Sequence, residues 1–418
     1  MITNNLIKKK QFEDFTSLGG GDVFGKARAL DEYLGESPEN MLDGLGLTVT
    51  ESAKPRIKLL DGESEYEVIM LGSNSYLNLT TRKEVVRAAN QACEKYGYGM
   101  GAVSLYTGIT DLHKQLEQAI ADFYGTEEAI VFPSGYGTNV GVISAICGAN
   151  DIIINDSANH ASIFDGSVLS GAELKIYPHG NMRRLEQVLR RLDAEKGKLI
   201  ITDGVFSMHG DLARLDEIAM LAEKYNARIM VDDAHGVGIV GPTGRGTAEK
   251  FGVMDKVDLH IGMLSKAPGG LGGYCAARRE VIQYLRLYCR SYFFSTALPA
   301  PTVAGLIEVF KLLSADKAGR KQLWKNIAYL KDSLQRKGFD TGESESGIIP
   351  IIVGDEERLS RFHRELVENG VYTNLVSYPA VRRKEARVRL CVMSTLTRKQ
   401  MDKAIGIIIE AGVKCGII

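Results

Sequence analysis

The chain has 418 residues, with 51 lysines and arginines against 52 aspartates and glutamates and 44% hydrophobic residues. Its near-zero net charge supplies no general attraction for nucleic acid or an anionic membrane, and no uninterrupted apolar run reaches bilayer length. This length calls for two lobes or a large α/β unit with an appendage, and the scattered cysteines offer neither metal-ligand spacing nor a disulfide framework. The composition is that of a cytoplasmic protein.

Residues 1 to 60 are polar, contain Gly19-Gly20-Gly21, and read as an arm or partner-contacting lead-in. The run Glu67 to Leu71 is a predicted strand that empties into the turn residues Gly72, Ser73, Asn74, Ser75 and Tyr76. Helical spacing follows from Leu112 to Gly125. A strand is predicted at Ala129 to Phe132, then the turn Ser134-Gly135-Tyr136-Gly137, then an apolar helix to Cys147. Strand, glycine turn and helix aim free backbone N–H groups at an anion such as phosphate, although a tight turn with no ligand is the commoner reading of this turn taken alone.

The middle third alternates. Predicted strands at Ile152 to Ile154, Leu174 to Tyr177, Leu199 to Thr202, Arg228 to Val231 and Leu259 to Ile261 are separated by helical patterns. This is the signature of a mainly parallel sheet covered by helices, in which ligands bind beyond the carboxyl ends of the strands. That rule selects Asn159 and His160, Asp203 to Ser207, Asp232 to His235, and Lys266 as one converging rim. Beyond Pro299 a long helical stretch from Thr302 to Leu334 leads to strands at Ile348 to Val353 and Val388 to Val392, a smaller α+β lobe. The expected division is an arm at 1–60, a large domain at 61–300 and a small C-terminal domain at 301–418.

Lys266 stands out, because it ends an apolar strand and enters Pro268 and four glycines. A partly desolvated amine loses its proton more easily and condenses with a carbonyl to form a Schiff base. The rim residues then suggest pyridoxal phosphate. Asp232 pairs with a protonated pyridine nitrogen, His235 meets the phenolic oxygen, His160 lies on the ring face, and the Gly135 and Tyr136 amides take the phosphate, with Ser207 a further hydroxyl. Each residue taken alone also suits a structural role.

Six segments in matching order carry a resemblance: SGYGTN (134–139), NHASIFDG (159–166), TDGVFSMHGD (202–211), VDDAHGVGIVGPTGRGT (231–247), LSKAPGGLGGY (264–274) and FFSTALP (293–299). Together they resemble the α-oxoamine synthases, fold-type I pyridoxal-phosphate enzymes, and ARVRLCVMSTLT (386–397) extends the match into the small lobe. The resemblance implies a homodimer with shared active sites, Thr296 reaching the partner's cofactor phosphate. It assigns Lys266 to the Schiff-base link, Asp232 to the pyridine nitrogen, His235 to the phenolic oxygen and His160 to stacking. Arg389 matches the arginine that holds the amino-acid carboxylate, with Asn74 nearby; an exposed strand arginine reads the same residue, given Arg382, Arg383 and Arg387 beside it. The implied reaction is decarboxylative condensation of an amino acid with an acyl thioester, giving an α-amino ketone or β-keto amino acid.

Some positions depart from the family pattern. Ser104, in the substrate segment 99–108, stands for a common arginine, Met263 for a threonine, Asn78 for a glycine and Leu396 for a histidine. These point to altered substrate specificity, including an acyl-carrier-protein donor in place of coenzyme A. Aldolase-like cleavage or transamination is the alternative on the same cofactor, and a non-catalytic partner subunit is the reading from another class.

Overall fold

The computed structural model describes residues 21–36, 46–62 and 64–418; the rest of the expected arm lies outside the described residues. Three strands open the chain, β1 (Thr48–Val49), β2 (Arg56–Asp61) and β3 (Ser64–Met70). Seven follow as β4 (Glu128–Phe132), β5 (Asp151–Asp156), β6 (Glu173–Tyr177), β7 (Gly197–Asp203), β8 (Arg228–Asp232), β9 (Leu259–Met263) and β10 (Gly273–Ala277). The last four are β11 (Ile348–Ile352), β12 (Val371–Tyr372), β13 (Asn374–Val376) and β14 (Arg387–Cys391).

Strands β4 to β10 form one sheet in the order β4-β10-β9-β8-β7-β5-β6. Neighbours from β9 through to β6 are parallel, while β10 runs antiparallel to both β9 and β4. Successive side chains of a strand point to opposite faces, and both faces here are apolar. Ile153, Leu199, Ile201, Met230 and Ile261 pack with Val142, Ile143 and Ile163 on one side. Ile152, Ile154, Ile200, Ile229 and Val231 pack with Leu185, Leu215 and Ile218 on the other. Double-sided burial is why these strands read as continuous apolar runs.

The fold is thus a fold-type I arrangement, a mainly parallel sheet covered by helices. Strand β10 was not anticipated, because its sequence GYCAA follows directly on the glycines and carries little β-branched signal. Its consequence is local: Lys266 lies in the connection between two antiparallel strands, closed by Leu264 N–H to Gly272 O at 2.9 Å and Gly270 N–H to Leu264 O at 2.7 Å. Gly272 takes φ of 100°, a backbone state closed to side-chain-bearing residues.

The hairpin β2–β3 crosses the expected boundary at residue 60. Ile57 and Leu59 are buried and join Val68, Leu330, Phe362, Val388 and Ile408 in one core. Strand β3 also pairs in parallel with β12, so the N-terminal hairpin completes a sheet of the C-terminal lobe. The alternation Ile57/Leu59 was hidden among the charges of RIKLLD. The helical stretch expected from Thr302 to Leu334 is two helices, Ala300–Ala315 and Lys317–Arg336, because the Asp316 carboxylate accepts from Gly319 N–H and caps the second. The first packs Val303, Leu306 and Phe310 against Leu116, Ile120 and Tyr124.

Because Leu59 is buried in the C-terminal core, Leu59→Ala should lower unfolding stability by about 2–5 kcal/mol. Denaturant titration checks this; a change within ~0.5 kcal/mol, the range of surface substitutions, would mean that this strand is not core.

Candidate active site

The carboxyl ends of β5, β7, β8 and β9 surround a cavity of about 160 Å³ lined by Gly135, Tyr136, His160, Ser162, Asp203, Val205, Ser207, Asp232, Ala234, His235, Met263, Ser265 and Lys266. Sequence-distant residues meet here because every parallel strand delivers its following loop to the same edge.

Asp232 and Asp233 are both buried, and the chain turns between them. The Asp232 carboxylate faces the cavity, accepting from Asn139 Nδ2 at 2.6 Å and from Ala234 N–H at 3.0 Å. Asp233 turns away and accepts from the Thr247 backbone at 2.6 Å and hydroxyl at 2.8 Å. The pair is therefore one cavity carboxylate and one loop anchor. Burial pushes the Asp233 carboxyl up to about 7 despite those bonds.

Lys266 Nζ lies 2.7 Å from His235 Nε2, and His235 Nδ1 lies 2.8 Å from the Tyr76 hydroxyl. Burial lowers the lysine to about 8, against the attraction of Asp232 for its charged form. His235 is held well below its usual value, first by burial and then by Lys266 and Arg389, so its ring is neutral. A neutral ring carries one proton. A charged Lys266 donates to Nε2 and leaves that proton on Nδ1, facing Tyr76; a neutral Lys266 allows the opposite tautomer with Tyr76 donating. The proton on His235 therefore follows the state of Lys266.

His160 caps the helix Ala161–Ser170, with its Nδ1 2.7 Å from the Ser162 hydroxyl, and Ser162 in turn accepts from Asn139. Opposite, the helix Gly135–Ile146 starts at the cavity. Ser134 caps it by accepting from Gly137 N–H at 2.9 Å, leaving the amides of Gly135 and Tyr136 ahead of the first intrahelical acceptor. The Met263 thioether packs where a Cβ on Gly135 would sit, so a side chain at this helix start would have to displace the methionine. The Tyr136 hydroxyl donates to Asp165.

Arg389 is buried on β14, not an exposed strand arginine. Its Nε donates to the Ser207 carbonyl at 2.6 Å, and its terminal nitrogens reach Asn374 Oδ1 and Asn74 Oδ1, each at 3.2 Å. The cation thus joins the small lobe to the cavity rim. Ser104 and Thr296 lie outside this cavity, on segments tied together by the bridge Val103–Thr296 and by Ala297 N–H to Ala102 O at 3.1 Å. Ser104 is buried beside the Tyr292 hydroxyl, whereas Thr296 is exposed. Sequence reasoning gave no part to Asn139, Ser162 or Asn374, and placed Tyr76 only among the turn residues after β3. Asn139 and Ser162 sit inside SGYGTN and NHASIFDG; Asn374, beyond the short strand β12, carried no signal.

These residues fit pyridoxal phosphate. A helix N-terminus, a buried carboxylate, two histidines and a half-buried amine form the donor set for its phosphate, ring nitrogen, ring face and carbonyl, and Asp203 presents a buried Oδ1 with no hydrogen-bond partner to the same space.

Comparison with known proteins bears on the same arrangement. Residues 66–408 match the family model for class I and II aminotransferases. The 8-amino-7-oxononanoate synthase of Thermoanaerobacter pseudethanolicus is 44% identical over 373 residues, 89% of this chain and 94% of that one. The 4-hydroxy-2,2'-bipyrrole-5-methanol synthase PigH of a Serratia species is 38% identical over 98% of this chain, which spans 63% of that protein's length. Among solved structures, a serine palmitoyltransferase variant from S. paucimobilis with a bound pyridoxal phosphate–myriocin adduct superposes with a TM-score of 0.90 at 31% identity, over 95% of this chain and all of that one.

Trinitrobenzenesulfonate labelling of the cofactor-free protein, read by peptide mapping, should give a Lys266 rate that climbs through about pH 8. Asp232→Asn should move the midpoint lower, since the lost carboxylate no longer holds the proton on the amine. A wild-type midpoint at the ordinary lysine value of ~10.4 would contradict the desolvated amine.

Proposed function

The chain belongs to the class I and II aminotransferase family and, within it, to the α-oxoamine synthases, and from that premise we propose which of its residues carry the reaction. It is a pyridoxal-phosphate-dependent acyltransferase that condenses an amino acid with an acyl thioester, losing carbon dioxide and releasing the thiol. When bound, the cofactor supplies an electron sink for the carbanion at the amino acid's α-carbon. The observation that carries the assignment of roles is the contact of Lys266 with His235 beside the Asp232 carboxylate.

Lys266 would anchor the cofactor, and its Nζ would hold or move the proton at the amino acid's α-carbon. An amine lowered to about 8 is suited to that exchange, holding or releasing a proton near neutral pH. Asp232, braced by Asn139 and Ala234, would pair with the pyridine nitrogen, and His235 would orient the phenolic oxygen. His160 would cover the ring, and the amides of Gly135 and Tyr136, with Ser207, would hold the phosphate end. Arg389 takes the amino-acid carboxylate; its Nε stays on the Ser207 carbonyl while Asn74 and Asn374 yield the outer nitrogens. Ser104 shapes the substrate entrance from the segment beside Thr296.

A homodimer is part of this reading. Phe294 is 71% exposed and Tyr106 75% exposed, and both contact Phe293 in one aromatic patch next to Thr296. Such a patch favours a partner surface, and Thr296 would then reach the neighbouring cofactor phosphate. The likeness to a bipyrrole-methanol synthase supports a specialised biosynthetic role, and the departures at Ser104 and Met263 support a carrier-protein donor. A cytoplasmic location is part of this reading, supported by the likeness to biosynthetic synthases; no helix among the described residues is long and apolar enough to cross a membrane.

The test is thiol release from a panel of acyl thioesters, each with single amino acids, followed with a thiol reagent. Wild type should release thiol only when an amino acid is present, and Lys266→Ala should fall by at least ~10³-fold, the order of a lost catalytic group. Arg389→Lys should raise the amino-acid KM by roughly 10–100-fold, the worth of a lost charge-assisted hydrogen bond, with a smaller change in kcat. Amino-acid turnover without thiol release would favour cleavage or transamination.

A further inference from the structure

The ends of β5, β6 and β7 assemble a second polar cluster that the reaction does not use. Asp156 closes β5, His179 lies two residues past β6, and His209 and Asp211 lie in the connection after β7. The Asp156 side chain is only 2% exposed and accepts from His179 Nδ1 at 2.9 Å. Its oxygens also accept from the Ala158 and Gly180 amides. With Nδ1 so engaged, His179 Nε2 points at Asp211 Oδ2, 2.9 Å away. The His209 ring lies beside that of His179, with centroids 5.2 Å apart and planes 32° apart. Two atoms of the cluster have no hydrogen-bond partner although buried: His209 Nδ1 and Asp211 Oδ1. Orphaned buried polar atoms in a native fold call for an explanation, and a bound ion is one that would satisfy both at once.

One ligand atom from each of His179, His209 and Asp211 lies within 4.8 Å of the other two. We propose that these three residues bind a divalent first-row transition ion of the zinc or cobalt class. Ligands ~2.0–2.2 Å from one tetrahedral ion are roughly 3.3–3.6 Å apart, a separation the three side chains reach by small rotations. Two imidazoles and one carboxylate select such an ion over magnesium or calcium, which take oxygen ligands. Asp156 is the carboxylate that orients a metal-bound histidine through its other nitrogen. On binding, His179 Nε2 gives up its proton to solvent and Asp211 turns from hydrogen-bond acceptor to ligand, leaving one position for water. The side chains of His179 and Asp211 are 27% and 21% exposed, so an ion can enter.

The ion would fix the connection that also carries the Arg389 anchor. Arg387 donates to the Met208 carbonyl at 3.1 Å and Arg389 to the Ser207 carbonyl at 2.6 Å, immediately before His209. The site therefore staples the loop on which the arginine clamp rests to the end of β6.

The full-length chain carrying its cofactor, freed of metal by chelator and in a Cys93→Ser background to remove the exposed thiol, is titrated with Zn²⁺ by calorimetry and with Co²⁺ by visible absorption. One ion per chain is expected at micromolar affinity or tighter, with weak visible cobalt bands and no intense thiolate band. His209→Ala and, as a second variant, Asp211→Asn should each weaken binding at least 100-fold, and Zn²⁺ should raise the melting temperature of the parent but not of either variant. Equal affinity in parent and both variants, no stoichiometric binding, or a thiolate band would overturn the assignment.

Discussion

The contact between Lys266 and His235, with the Asp232 carboxylate alongside, sets the conditions that the surrounding structure has to meet. An amine in this position must lose much of its hydration, which burial accomplishes at the cost of its charged form. It must not pair so tightly with a carboxylate that it becomes a fixed ammonium. Asp232 satisfies both demands because Asn139 and Ala234 already occupy its oxygens. The antiparallel strand β10 then makes the lysine's backbone rigid, since the connection from Leu264 to Gly272 closes on itself. Removing that strand would leave the amine on a free loop, where solvent would restore an ordinary lysine.

Much of this was legible in the sequence. Parallel strands buried on both faces write themselves as apolar runs, so β5, β7, β8 and β9 were readable, and the rule that ligands lie beyond their carboxyl ends selected His160, Asp232, His235 and Lys266 together. The unread parts have a common cause: their apolar signal is short or interleaved with charge. RIKLLD hides Ile57 and Leu59 between basic and acidic residues that face solvent, GYCAA has no β-branched residue, and the two-residue β12 is too short for any period to register. The same limit applies to partners within the site. Asn139 and Tyr76 act by direction and distance, and neither property is encoded in spacing along the chain.

The departures gain physical content from their surroundings. Met263 is not simply a missing hydroxyl, for its sulfur fills the space against Gly135 at the helix start. A phosphate there would meet backbone amides and a polarisable apolar atom in place of a second hydroxyl donor. Ser104 is buried near Tyr292, away from the cavity of its own chain, so on the proposed reading it would act on substrate through the segment bridged to Thr296.

Arg389 links these levels. A buried guanidinium needs hydrogen-bonding partners, and among the described residues this one donates to uncharged acceptors, the Ser207 carbonyl and the side-chain oxygens of Asn74 and Asn374. The arrangement satisfies its geometry and leaves its charge uncompensated, apart from carboxylates at longer range. On the proposed reading, a substrate carboxylate would supply what the asparagines lack, a full negative charge, while the Nε–carbonyl bond keeps the side chain aimed. The three partners come from the turn after β3, the loop after β7 and strand β13, so binding at this one cation acts on three separate parts of the chain. If Arg389 takes the substrate carboxylate as proposed, substrate recognition and the packing of the small lobe against the sheet would be coupled through this single side chain.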